Sequence, residues 1–186
     1  QLDALSCENS AMHMGTNSTS YYFSVASGSI GEFFDEMYLN TPWEQHYENL
    51  DGRTILDRLA SVKYFVVKNN RYQYMPYGYY WLEGSAEKNG KIYEAFGSEE
   101  ALPLGYTYDS FIPREEYEKM TVTEKQQALL QGIVLEDSSL PEITPEFNDQ
   151  EIPFEIRKGK GCTVKDGKIK VTKEGAKLEL LFNGLE

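Results

Sequence analysis

The sequence predicts an α+β fold: a mixed β-sheet with short packed helices, followed by a C-terminal antiparallel β-meander that begins a β-sandwich. Three observations predict it. Short amphipathic stretches with helix-capping residues alternate with β-branched and aromatic runs. An Asn-Gly pair joins two aromatic runs, which is the strongest short signal for a hairpin. Near the end, four strand-like runs recur at about ten-residue spacing with glycine turns between them.

The opening residues 1–24 are rich in Ser, Thr, Asn and Met without a sustained period, so they read as loop with a short strand at residues 21–25. In "SIGEFFDEMYL", Ser29 and Glu32 have capping-box spacing, and Ile30, Phe33, Phe34 and Met37 share one helical face. "PWEQHYENLDG" reads as a connecting loop, and Asp51 is placed to cap "GRTILDRLA", whose apolar stripe is Ile55, Leu56 and Leu59. "VKYFVVK" follows directly and reads as a buried, central strand. "YGYYWLEGS" and "KIYEAFG" are the two arms of the Asn-Gly hairpin, and "LPLGYTYDS" is expected to add the next strand, with Pro103 at its start. Pro113 opens a helix over "REEYEKM". Thr121 and Glu124 form a second capping box for "VTEKQQALLQ", Gly132 is placed to end that helix, and "IVLED" supplies a short strand.

Charge divides the chain. Up to Asp137 there are 21 acidic and 10 basic residues, whereas from Ser138 onward there are 9 and 8. The expected organisation is therefore an α/β domain over residues 1–137, a proline-containing linker over 138–150 and a β-rich segment over 151–186. That last segment reads as truncated, and the start at Gln1 rather than Met suggests a piece of a longer protein. The overall net charge of −12 argues against a nucleic-acid partner, which would need clustered Lys and Arg to release counterions. Apolar runs fall far short of the ~20 residues that cross a bilayer. Cys7 and Cys162 lie far apart with no neighbouring thiol and read as two unrelated cysteines, although a long-range disulfide stays open.

Strong catalytic motifs are missing: no nucleophile elbow, zinc-protease helix or phosphate-binding loop occurs. His13 and His46 have no second ligand at metal spacing, and no cofactor is expected. Carboxylate pairs occur at Asp35 with Glu36, Glu115 with Glu116 and Glu136 with Asp137. The second fits the first turn of a helix, where the dipole favours negative charge, and the third reads as solvated. The run "RYQYMPYGYYWLEG" carries Tyr72, Tyr74, Tyr77, Tyr79, Tyr80 and Trp81. An aromatic platform that stacks on sugar rings is one reading, and ordinary packing is the other. Alternation puts Tyr79 and Trp81 on one face and Tyr80 and Leu82 on the other. Tyr77, Tyr80 and Trp81 are the candidate substrate-binding residues. Asn17, Ser18, Thr19, Ser20, Tyr21 and Tyr22 offer hydrogen-bonding groups to a polyol, and disorder near a chain end accounts for the same composition equally well. Lys158, Lys160, Lys165, Lys168, Lys170 and Lys173 are the best placed to meet an anionic ligand, with ordinary strand solubility as the plainer account.

Several segments in order resemble one family. "GRTILDRLASVKYFVVK", "PYGYYWLEGS" with "GKIYEAFGSEEALPLGYTYDS", "EKMTVTEKQQALLQGIVLED" and "GKIKVTKEGAKLELLFNGLE" are similar to successive segments of the YfhO-type bacterial membrane proteins of Gram-positive bacteria. The resemblance implies a multi-spanning parent similar to C-type glycosyltransferases, which take sugar from a polyprenyl phosphate on the outer membrane face. Its implied role is to decorate teichoic or lipoteichoic acid, or other cell-surface polymers. In such enzymes the catalytic carboxylates sit in loops between early membrane helices. Nothing here corresponds to those loops, so no catalytic residue is carried over. The chain is then an accessory, extracytoplasmic portion whose partners are its own transmembrane region, absent from this chain, and a cell-surface glycan or polyprenyl-linked sugar. A cell-wall carbohydrate-binding module, and a structural or protein-interaction ectodomain without an enzymatic parent, stay open as alternatives.

Overall fold

The computed structural model describes residues 9–13, 15–41, 46–47, 49–69, 71–72, 75–148, 154–165 and 168–182. The chain divides into two compact units, Gln1–Phe147 and Asn148–Glu186. The fold is α+β, with few short helices and several small sheets.

In the first unit, α1 (Ser10–His13) leads to β1 (Tyr21–Tyr22), which pairs antiparallel with β2 (His46–Tyr47). Between them, α2 (Gly28–Glu36) buries Phe34 and packs Ile30 and Phe33 on the core, as its apolar spacing predicts. Its start differs from expectation. Ser27, not Ser29, occupies the cap position, the two hydroxyls bond each other at 2.8 Å, and no side chain caps the helix.

α3 (Thr54–Leu59) also begins without the expected Asp51 cap. Asp51 instead accepts the Asn40 N–H at 3.0 Å and stands 3.8 Å from Arg53. Arg53, at the cap position of α3, donates to the carbonyls of Met37 and Tyr38, satisfying acceptors that α2 leaves open at its C-terminus.

The main sheet runs in the order β3 (Tyr64–Lys68), β5 (Lys91–Gly97), β4 (Tyr80–Lys88), all antiparallel. β3 is therefore an edge, not the central strand expected, and only its Phe65 and Val67 face the interior. The β4–β5 turn forms as predicted. Asn89 and Gly90 both take positive φ, 53° and 69°, as a type I′ turn requires. A bulge with Glu83 at φ 55° interrupts β4 between Trp81 and Ser85.

Residues 101–110 form no strand, contrary to expectation. Pro103 lacks a ladder donor, and the segment's bonds go elsewhere. The Leu102 N–H donates to Arg58 O, and the Pro103 carbonyl accepts from the Ser61 hydroxyl. The Tyr106 hydroxyl donates to Leu59 O at the end of α3. The Tyr108 hydroxyl donates to Leu129 O, at the C-cap of α5 (Val122–Ala128). This aromatic segment thus closes two helix ends.

β6 (Phe111–Pro113) pairs parallel with β7 (Ile133–Leu135), with α4 (Arg114–Glu118) and α5 between them. The predicted Thr121–Glu124 capping box is complete, with bonds in both directions. α5 stops before Gly132, which serves packing instead. A methyl there would meet Ile143 at 3.1 Å and Ile112 at 3.2 Å.

The segment expected to begin a linker at residue 138 is bound to this unit. Phe111 N–H donates to Pro141 O and Ile143 N–H to Phe111 O, both at 2.9 Å, while Ile143 and Phe147 pack on the core. The core itself gathers Phe34, Met37, Leu56, Ile112, Tyr117 and Ala128 from five elements and the loop after α2. Glu36 on α2 holds Lys125 at 3.2 Å and Arg114 at 3.4 Å, and both cations lie over the buried Tyr117 ring.

The second unit contains β8 (Phe154–Lys160), β9 (Cys162–Lys165), β10 (Lys168–Val171) and β11 (Lys177–Phe182). All pairings are antiparallel, as a meander would have, but they are nested: β9 pairs β10 inside a β8–β11 pair. Gly161 makes this possible at φ 73°, and its carbonyl accepts the Thr172 N–H at 2.8 Å. Cys162 is a free thiol packed toward Gly159; Cys7 lies outside the described residues. In the register of the short inner hairpin Lys165 pairs with Lys168, and Lys170 with Thr163.

Candidate functional site

The site begins with one rung of the main sheet. Tyr64 on β3 and Tyr80 on β4 both pair with Gly97 on the central strand. Residues opposite one another in an antiparallel ladder share a face, so the two tyrosines flank a position that carries no side chain. Leu82 fills that position, its methyls 3.1 and 3.3 Å from where a Gly97 Cβ would lie. The result is an open surface of Tyr64, Leu82 and Tyr80, with Tyr64 52% and Tyr80 49% exposed. The Tyr80 hydroxyl lies 3.4 Å from a Glu99 oxygen. Partial desolvation, with the Glu99 charge next, raises its pKa above the ordinary tyrosine value.

Tyr64 also walls a cavity of about 510 Å³. One side is the loop of Thr16, Asn17, Ser18 and Thr19. The other is aliphatic, from Ala60, Val62, Val66 and Leu104, with Ser61 and Lys63 at the turn into β3. The loop is pinned at both ends. Thr16 N–H donates to Ala11 O at 2.9 Å, and Asn9 makes two bonds to the Tyr22 backbone at 2.8 and 2.9 Å. The Thr19 hydroxyl is buried without a partner among the described residues. Hydroxyls, an amide, an ammonium and one phenol ring thus stand around an aliphatic floor, so polar groups and apolar surface meet in one cavity.

The structure separates the sequence candidates. Tyr80 belongs to this face, and Asn17, Ser18 and Thr19 line the adjoining cavity. Trp81 sits one residue on, opposite Phe96, and so points to the other face, half-exposed at 50%. Tyr77 is 89% exposed in a turn, where its carbonyl accepts the Thr54 hydroxyl at 2.8 Å. Tyr79 is structural, with its hydroxyl on Val62 O and its ring edge-on to Phe65. Tyr72 bonds Glu94, while Tyr74 lies outside the described residues. Tyr21 stacks near Tyr47, and Tyr22 near His46.

Tyr64 is not among the sequence candidates, yet its signal is present in the letters. In "YFVVK" the inward Phe65 and Val67 require Tyr64 and Val66 to face out. Asp57 escapes the sequence reading too. It lies on α3, fully buried, and neither carboxylate oxygen has a partner among the described residues. Burial pushes its pKa up to about 7, and its charge adds to the burial that raises Tyr79. The other carboxylates singled out in the sequence are ordinary where α4 shows them, since Glu115 and Glu116 pair with Lys119 in its exposed first turn.

Together these features define an α+β domain with an aromatic sheet face beside a hydroxyl-rich cavity. Among the described residues no helix is long and apolar enough to cross a membrane. The family model described as "Bacterial membrane protein YfhO" matches residues 3–183, and the chain belongs to that family. It is also similar to the "Uncharacterized protein YfhO" of Bacillus subtilis (strain 168), 25% identical over 134 residues, which cover 70% of this chain and 15% of that protein. The chain therefore corresponds to a small part of the relative's length. No solved structure matches it.

Proposed function

We propose that this chain is an extracytoplasmic domain of a multi-spanning membrane protein. The parent transfers sugar from a polyprenyl-phosphate carrier to teichoic or lipoteichoic acid, or to another cell-surface polymer. The domain holds the acceptor glycan near the membrane and does no chemistry alone. One observation carries the glycan role: Tyr64, Leu82 and Tyr80 form an open aromatic face that runs into a cavity walled by Thr16, Asn17, Ser18 and Thr19. Membership of a membrane-protein family supports the membrane setting. Tyr77 and Trp81, the other candidates, lie off this face and serve as internal controls.

The test uses the full-length protein in cells, reading sugar incorporation into the surface polymer. Tyr64→Ala with Tyr80→Ala should lower incorporation about tenfold or more at unchanged protein level, since sugar–aromatic contacts of this kind are worth of order 1 kcal/mol each. Trp81→Ala should change it little. Full incorporation in the double variant would remove the glycan role.

A further inference from the structure

The cavity beside Tyr64 has Lys63 in its wall. Of the described residues that line it, Lys63 alone carries charge. The chain has 30 acidic and 18 basic residues, so a lysine would ordinarily find a carboxylate neighbour. The ion pairs among the described residues use Arg53, Arg58, Arg114, Lys119 and Lys125, and none uses Lys63. Its ammonium lies instead 5.7 Å from the centre of the Tyr64 ring, the ring that walls the cavity and continues the aromatic face. A cation–π contact places the ammonium without neutralising it, which leaves its charge available to a ligand.

Its backbone is held firmly, because Lys63 O accepts the Ser98 N–H at 3.0 Å and the preceding Val62 N–H donates to Asp57 O at 2.8 Å. The neighbouring Ser61 hydroxyl is committed to Pro103 O at 3.1 Å, so among the described residues the ammonium is the side-chain donor left to a ligand at that turn. The rest of the chain is acidic, but at physiological ionic strength charges beyond about 8 Å are largely screened, so the local cation governs.

We infer that the cavity takes a sugar bearing an anionic group, a carboxylate or a phosphate ester, and that Lys63 is the residue that selects it. This inference rests on the glycan-binding reading of the Tyr64 face and adds the ligand's charge to it. No bond is made or broken; the lysine orients and discriminates.

Calorimetric titration of the 186-residue chain with three probes tests it: methyl glucoside, methyl glucuronide and glucose 6-phosphate. One or both anionic probes should bind about fivefold tighter than the neutral one at low salt, the range of a solvent-accessible ion pair. Lys63→Gln should erase that preference, bringing the anionic probes down to the affinity of methyl glucoside, and Lys63→Arg should restore it. Comparing the two anionic probes separates a uronate site from a phosphate site. Equal affinity for all three probes, or a preference that survives Lys63→Gln, would overturn the inference while leaving a neutral-sugar site intact. Absence of binding by every probe would remove the glycan reading together with it.

Discussion

Replacing Asp57 with asparagine should remove a pH dependence that is built into the first unit. The Asp57 carboxyl is fully buried without a hydrogen-bond partner among the described residues, and burial pushes its pKa from 3.8 to about 7. In the unfolded chain it titrates near the ordinary value of about 3.9. The folded value is the higher one, so between about pH 4 and pH 7 the native protein keeps a proton that the unfolded chain has released. The contribution to stability is therefore complete below about pH 4 and is lost as pH rises through the folded-state value. A tenfold change in proton affinity is worth about 1.4 kcal/mol, so the total loss approaches about 4 kcal/mol. Of this, about 2.5 kcal/mol falls between about pH 5 and pH 8. Asparagine has the same shape and no proton to lose. Urea unfolding of wild type and Asp57→Asn at several pH values in that range gives the comparison. The variant's advantage over wild type should grow by about 2.5 kcal/mol from the acid to the alkaline end. Parallel profiles for the two proteins would refute the reasoning, because the carboxyl would then be titrating as if solvated.

Three further outcomes follow from the way helix ends are closed. Tyr108→Phe removes the hydroxyl that donates to Leu129 O and should cost about 1 kcal/mol. It should also delete one tyrosine whose ionisation burial pushes up to about 12, which an alkaline spectrophotometric titration would register. Thr121→Ala opens the capping box of α5 and should lower stability by about 1 kcal/mol in chemical denaturation. Arg53→Lys retains the charge but cannot span the carbonyls of Met37 and Tyr38 with one planar fork. About 1 kcal/mol should be lost, with hydrogen exchange fastest at the end of α2.

What is legible in the sequence is what local chemistry decides. Asn89 and Gly90 must adopt positive φ wherever they join two strands, and Thr121 with Glu124 needs only four consecutive residues to close its box. The less legible features depend on distant partners. Ser29 has capping spacing, but the helix begins two residues too early for it to serve, with Ser27 at the cap position. The run 101–110 has strand composition, yet its tyrosines are drawn off to Leu59 and Leu129, more than twenty residues away in each case. Residues 138–147 look like linker because their bonds to Phe111 and Gln131 are non-local. Tyr80 could be singled out from its aromatic run, and alternation in "YFVVK" turns Tyr64 outward, but only the shared rung at Gly97 brings the two together. Asp57 falls inside the family-like segment "GRTILDRL", where nothing in the letters separates a buried carboxyl from an exposed one.

On the proposed function, the domain grips glycan on the Tyr64–Tyr80 face. Amide chemical-shift mapping of the chain during titration with cell-surface oligosaccharides tests it most directly. Shifts should concentrate at residues 16–19, 60–66 and 80–82 and should vanish in Tyr64→Ala. Shifts centred on Tyr77 and the Trp81 side of the sheet, or none at any residue, would contradict it.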